Sequence, residues 1–132
     1  MAAALVLLCS CTSSEPRTQI LKVYNWADYI DEDVLANFPK WYEQQTGEKV
    51  RVIYQTFDIN EIMLTKIERG HEDYDVVCPS EYIIERMLRK DLLLPIDTAF
   101  GRTPNFIKNV SPYITRQIDA TSSNGRVAHR YA

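Results

Sequence analysis

Residues 50–78 read VRVIYQTFDINEIMLTKIERGHEDYDVVC, and the order of patterns inside this stretch decides the fold. Val50 to Gln55 is a β-branched run with the make-up of a strand. Asn60 to Arg69 follows with Ile62, Met63 and Ile67 on one side of a helical repeat, and Gly70 closes it. Tyr74-Asp75-Val76-Val77-Cys78 then returns to strand character. Strand, helix and strand on short connections predict two parallel strands joined by a right-handed crossover.

The same alternation extends in both directions. Upstream, Ile20-Leu21-Lys22-Val23-Tyr24 is a short apolar run suited to a buried strand. Asp31 is placed to cap a helix carrying Val34, Leu35, Phe38, Trp41 and Tyr42 at helical spacing and ending at Gly47. Pro39 lies inside that helix, where the lost N–H predicts a kink or an early stop. Downstream, Ser80 is placed to cap a helix whose Ile83, Ile84, Met87 and Leu88 face inward. The series is βαβαβα, an α/β fold with a parallel sheet and helices on both faces. Beyond Asp97 the pattern weakens: Pro104 to Val110 reads as one more helical segment, and residues 120–132 carry no clear element. The resulting division is a signal and linker over 1–19, the α/β unit over 20–110, and a poorly defined tail over 111–132.

With 132 residues, 45% hydrophobic and 25% charged, the chain has the make-up of one soluble domain that folds without disulfide staples. A net charge of −3 argues against a nucleic-acid surface, which shows a concentrated basic excess. Three cysteines are too few and too scattered for a disulfide framework. Cys78, at the end of an apolar run, is expected to be a small buried hydrophobe. The Cys9-x-Cys11 pair has no second His/Cys cluster to complete a zinc site, so no metal is expected. Cys11 instead follows the apolar run Ala2 to Leu8 and precedes Thr12-Ser13-Ser14-Glu15-Pro16, the order of an export signal and a linker. That run is too short to span a bilayer, and no Lys or Arg precedes it.

Open parallel sheets place ligands beyond the carboxyl ends of their strands, where the strand order reverses. Two segments qualify: Asn25-Trp26-Ala27-Asp28-Tyr29 after the first strand and Pro79-Ser80-Glu81-Tyr82 after the third. They offer Trp26, Tyr29 and Tyr82 as ring faces, Asp28 and Glu81 as carboxylates, and Ser80 as a hydroxyl. An alkylammonium ligand needs that mixture, ring faces for the cation and its methylenes and carboxylates for its N–H groups. A structural alternative stays open, in which the rings fill the sheet–helix junction and Ser80 only caps its helix. Catalytic chemistry finds no footing. No glycine-rich phosphate loop, Gly-x-Ser-x-Gly elbow or His-Glu-x-x-His helix is present, His71 and His129 sit in polar surroundings, and no nucleophile meets a base. A non-enzymatic protein without a cofactor is expected. Asp73 and Asp75 flank the third strand, with Glu72 adjoining them, and are assigned to a solvated edge or to strand-entry pairing.

The runs Val23 to Ile30, Thr46 to Val50, Tyr54 to Met63, Tyr74 to Tyr82 and Leu94 to Asp97 keep the order and spacing of the start of mature bacterial spermidine/putrescine-binding proteins, which this sequence resembles over about residues 20–110. The resemblance implies a two-lobed periplasmic-binding-protein fold of type II, of which this chain would hold part of the first lobe. It implies a polyamine such as spermidine or putrescine held between lobes, and delivery to the permease subunits of an ABC transporter. Trp26, Asp28 and Tyr29 would belong to the first-lobe wall, with Ser80 and Tyr82 on the loop after the third strand. Asp28 stands where relatives often carry Glu, and Asn60 with Glu61 matches a family motif assigned here to helix initiation. Leu8-Cys9-Ser10-Cys11 resembles a lipobox, so Cys11 would carry lipid and tie the protein to the membrane, in the periplasm or at the cell surface. Family members continue through hinge crossings and a second lobe, so a truncated chain is implied, expected to bind polyamine more weakly than a two-lobed relative. A lobe for another small cation or metabolite, and an inactive gene fragment, are the alternatives.

Overall fold

A computed structural model describes residues 16–70, 72–96 and 110–131. Three strands, β1 (Ile20–Trp26), β2 (Arg51–Phe57) and β3 (Val76–Val77), form a parallel sheet in the order β2-β1-β3. Between and after them run α1 (Glu32–Thr46), α2 (Asn60–Arg69), α3 (Glu81–Arg89) and α4 (Pro112–Ala120). The sheet is therefore the α/β, βαβαβα arrangement that the alternation of patterns predicts.

Register explains which face is the core. Tyr24 pairs with Gln55, and Trp26 with Phe57, so these side chains share one face of the sheet. Met63 and Leu64 of α2 and Ile83 and Met87 of α3 close over it, joining Tyr24 and Phe57 in the buried cluster. Tyr24 meets Phe57 edge-on at 5.0 Å and stacks on Tyr74 at 4.7 Å. The Lys66 ammonium lies 5.0 Å from the Tyr24 ring and donates to Gln55 Oε1, which also accepts from the Tyr74 hydroxyl. That charge is held on the lysine above its ordinary range, first by the hydrogen bond with Tyr74.

α1 behaves differently. Its ends are as expected: the Asp31 carboxylate accepts from the Asp33 N–H, and Gly47 stops the helix at φ 76°, a conformation that glycine adopts without a Cβ clash. Pro39 removes one internal bond, yet the helix runs its full 15 residues around it. Phe38 packs its ring on Trp41 and Tyr42, but no residue of α1 is buried. Handedness puts this helix on the sheet face opposite α2 and α3, where it packs against β2 as the only helix of its crossover.

β3 is shorter than the five-residue run in the sequence. Only Val76 and Val77 pair as strand with β1, while the Asp75 carboxylate takes the Lys22 N–H that a longer ladder would use. Beyond Asp97 the sequence pattern is weak, but α4 forms with the Ser111 hydroxyl accepting from the Tyr113 N–H and with Pro112 in its first turn. A 3₁₀ turn, Ala128–Arg130, buries Ala128 completely. The segment expected as helix over Pro104 to Val110 lies, but for Val110, outside the described residues, as do His71 and the whole of residues 1–15 with Cys11.

Candidate functional site

The strand order puts β1 beside β3, so the segments that follow these strands emerge together at the carboxyl edge of the sheet. At the end of β1 the Asn25 carboxamide is buried and accepts from the Trp26 N–H at 2.8 Å. Trp26 itself is half-buried, its ring 4.6 Å from Phe57 and 6.1 Å from Tyr29. The chain then turns through Asp28 at φ 61°. That left-handed backbone is unfavourable for most residues and is tolerated by Asp. It delivers Asp28 and Tyr29 to the surface, with Tyr29 73% exposed. A ring so open is not filling a junction. The Asp28 carboxylate has no hydrogen-bond or ion-pair partner among the described residues.

The second segment is organised from an unexpected direction. Ser80 precedes α3, but its side chain makes no cap hydrogen bond to that helix. Its Oγ accepts instead from Asn60 Nδ2 at 2.9 Å, and its N–H donates to Asn60 Oδ1 at 3.3 Å. Asn60 Nδ2 also donates to the Tyr82 hydroxyl at 3.0 Å, and that hydroxyl donates to Glu61 Oε1 at 3.1 Å. The Arg86 guanidinium lies 5.7 Å from the Tyr82 ring centre. The expected Ser80 cap is thus replaced by a lateral tie to the start of α2, because a buried carboxamide offers both a donor and an acceptor to that loop.

Trp26 and Tyr82, on the segments after the first and third strands, have different ring surroundings. Trp26 packs toward Phe57 at the end of β2, and Tyr82 reaches to Asn60 and Glu61 at the start of α2. Both therefore rest on the connection between β2 and α2. Asn60, Glu61 and Arg86 were not among the residues singled out for the site. Burial of an Asn at the first position of a helix is the signal that reveals Asn60, and it is visible only in three dimensions.

The chemistry available is recognition of a cation: an unpaired carboxylate, exposed and half-buried rings, and a fixed hydroxyl. Cys78, expected to be a small buried hydrophobe, is exposed at the end of β3, because the ladder stops at Val77; partial desolvation still pushes its thiol up, leaving it protonated at neutral pH. Among the described residues no group of three His, Cys, Asp or Glu side chains could hold a metal ion, and no helix is long and apolar enough to cross a membrane. At the opposite end of the same strands Arg17 binds Asp73 at 2.6 Å and Asp75 at 3.0 Å, and Lys22 also pairs with Asp73. Arg17 and Lys22 together hold the Asp73 carboxyl well below the usual carboxylate range. Of the two roles that the flanking positions of Asp73 and Asp75 suggest, a solvated edge or strand-entry pairing, these contacts are the second.

No family profile matches the chain. Individual proteins do. The putrescine-binding periplasmic protein PotF of Escherichia coli is 33% identical over 111 residues, 84% of this chain and 28% of that protein. Among solved structures, the spermidine/putrescine ABC transporter substrate-binding protein PotD of Streptococcus pneumoniae superposes with a TM-score of 0.62 at 37% identity, covering 85% of this chain and 30% of that one. The Tp0655 lipoprotein of Treponema pallidum gives 0.58 at 32% identity over 75% of this chain and 28% of that one. The chain thus spans under a third of the length of these relatives. With this breadth of matching sequence and this likeness of fold, it is a homologue of the putrescine- and spermidine-binding periplasmic proteins.

Proposed function

We propose that this chain supplies one wall of a polyamine-binding cleft in the extracytoplasmic capture component of an ABC importer. Residues 20–110 would form the first-lobe wall and residues 111–132 a tail beyond it. Trp26 and Tyr29 hold the methylenes and cationic ends of putrescine or spermidine, Asp28 pairs with an ammonium group, and Ser80 and Tyr82 close the wall beside them. The observation that carries this reading is the unpaired Asp28 carboxylate, lifted to the surface by a left-handed turn beside an open tyrosine ring. The chain acts by binding and has no catalytic role. It hands its solute to permease subunits, and it sits outside the cytoplasmic membrane on a lipid attached at Cys11, within a signal-and-linker segment over residues 1–19. Two things support that anchor: the order of apolar run, cysteine and polar linker, and the lipoprotein title of the treponemal relative.

NMR titration of the isotope-labelled chain with putrescine and with spermidine tests the site, because it reads weak as well as tight binding. Shifts concentrated at residues 26–29 and 80–82, and absent with sodium chloride at matched ionic strength, are expected. Shifts scattered over all acidic residues, or none, would refute the reading. For the anchor, mass spectrometry after expression in a host with lipoprotein processing should find a diacylglycerol-modified Cys11, and a soluble product with an unmodified cysteine would overturn it.

A further inference from the structure

We infer that Asn60 is a positioning residue for ligand recognition, the single side chain that sets both Ser80 and Tyr82 in place; this rests on the polyamine-binding reading of the wall. Asn60 is 6% exposed although it is the first residue of a helix, a place where a polar side chain ordinarily stays in water. Its carboxamide is fully used. Oδ1 accepts from the Ser80 N–H, and Nδ2 donates to both Ser80 Oγ and the Tyr82 hydroxyl. Each partner comes from the loop or first turn after β3, while Asn60 itself follows β2, so one residue spans the top of the sheet.

The polarity of these bonds has a consequence for the ligand. Nδ2 has only hydrogens to give, so Ser80 Oγ must accept from it and keeps its own proton and one lone pair for the cleft. The Tyr82 hydroxyl likewise accepts from Asn60 and gives its proton to Glu61. Asn60 therefore fixes the tyrosine oxygen as well as its ring, and the ring has Arg86 near it. With Asn60 removed, Ser80 is free to turn onto the open N–H groups of α3, the cap position that it forgoes here. The wall would then lose the oriented hydroxyl while the helix gained a cap.

A double-mutant cycle on polyamine binding tests this, followed by NMR titration with putrescine. Asn60→Ala should weaken binding roughly five- to tenfold, the worth of one or two oriented hydrogen bonds. In a Ser80→Ala, Tyr82→Phe background the same substitution should weaken it no further, because nothing remains to position. Asn60→Asp, which still accepts from the Ser80 N–H but can hold the two hydroxyls only by taking their protons, from the cleft side of Ser80 and from Glu61, should recover only part of the affinity. Independently of ligand, Asn60→Ala should speed hydrogen exchange at the Ser80 amide and shift the Tyr82 ring resonances. If Asn60→Ala fails to fold, the Asn60→Asp variant carries the cycle. Full additivity, or unchanged affinity in Asn60→Ala while the native chain binds, overturns the positioning role alone. Absence of binding by the native chain overturns the polyamine reading, and the positioning role with it.

Discussion

The two ends of β1 carry aspartates in opposite circumstances. At the amino end Asp73 and Asp75 are gripped by Arg17 and Lys22, with backbone N–H and C=O groups drawn into the same knot. At the carboxyl end Asp28 stands without a partner among the described residues, on a turn of unfavourable backbone geometry. Acidic residues so close in the fold share a composition and differ in availability. A carboxylate already neutralised by fixed cations has little left to offer a solute, whereas an unpaired one beside an open ring is a vacant counter-charge. Fixed ion pairs occupy one end, and the proposed recognition site lies at the other.

The most drastic way to break this contrast is to remove what supports both ends. Ile83 is wholly buried against the sheet, so Ile83→Ala should lower stability by about 2–5 kcal/mol. Urea unfolding would show the loss, and binding should fail with it. Trp26→Ala separates the ends next. Losing the ring that packs on Phe57 should weaken putrescine binding roughly tenfold while Arg17 and Asp73 stay paired, as NMR of both regions would reveal. Asp28→Gly sharpens the difference further. It relieves the left-handed strain and should leave stability unchanged or raise it by up to about 1 kcal/mol, yet it should cost the ligand its carboxylate. A variant that lost stability there would show the turn to be structural.

Asp73→Asn is the mirror experiment and the smallest effect, because the groups involved are exposed. Binding should be untouched. The folded carboxyl is depressed below its unfolded value of about 3.9, so its contribution is fully present at neutral pH. It begins to fade as pH falls below that unfolded value and is lost on approach to the lower folded one. The difference in urea midpoint between native and Asp73→Asn protein should therefore be constant from pH 7 to about 5 and shrink in stronger acid. A difference that grew on acidification would contradict the assignment.

Local signals wrote much of this fold into the sequence. Asp31 and Gly47 bracket α1 because capping and a left-handed stop are properties of single residues. α2 begins and ends at Asn60 and Arg69, as its periodicity requires. What escaped depends on distant neighbours. The exposure of α1 is one such property, since an apolar stripe says nothing of how many helices cover that face of the sheet. β3 was overread because Asp75 turns its carboxylate onto β1. α4 has a modest pattern and a proline start that the tail's polar surroundings conceal. Trp26, Asp28, Tyr29, Ser80 and Tyr82 could be singled out from position after a strand. Asn60 could not, because its three bonds go to residues on another loop.

The brevity of β3 bears on how the protein behaves at high concentration. Among the described residues its outer edge has no strand beside it, and Val76 is exposed there. Such an edge is a template on which a second molecule can add a strand. Two residues give that template almost no length, and the ion pairs just before them hold the chain at its entry. The guard depends on ionisation. In strong acid, where Asp73 takes up its proton, its ties to Arg17 and Lys22 are lost and the entry to β3 loosens. Aggregation should therefore begin at this edge and on the acid side, well before heat alone would bring it about at neutral pH.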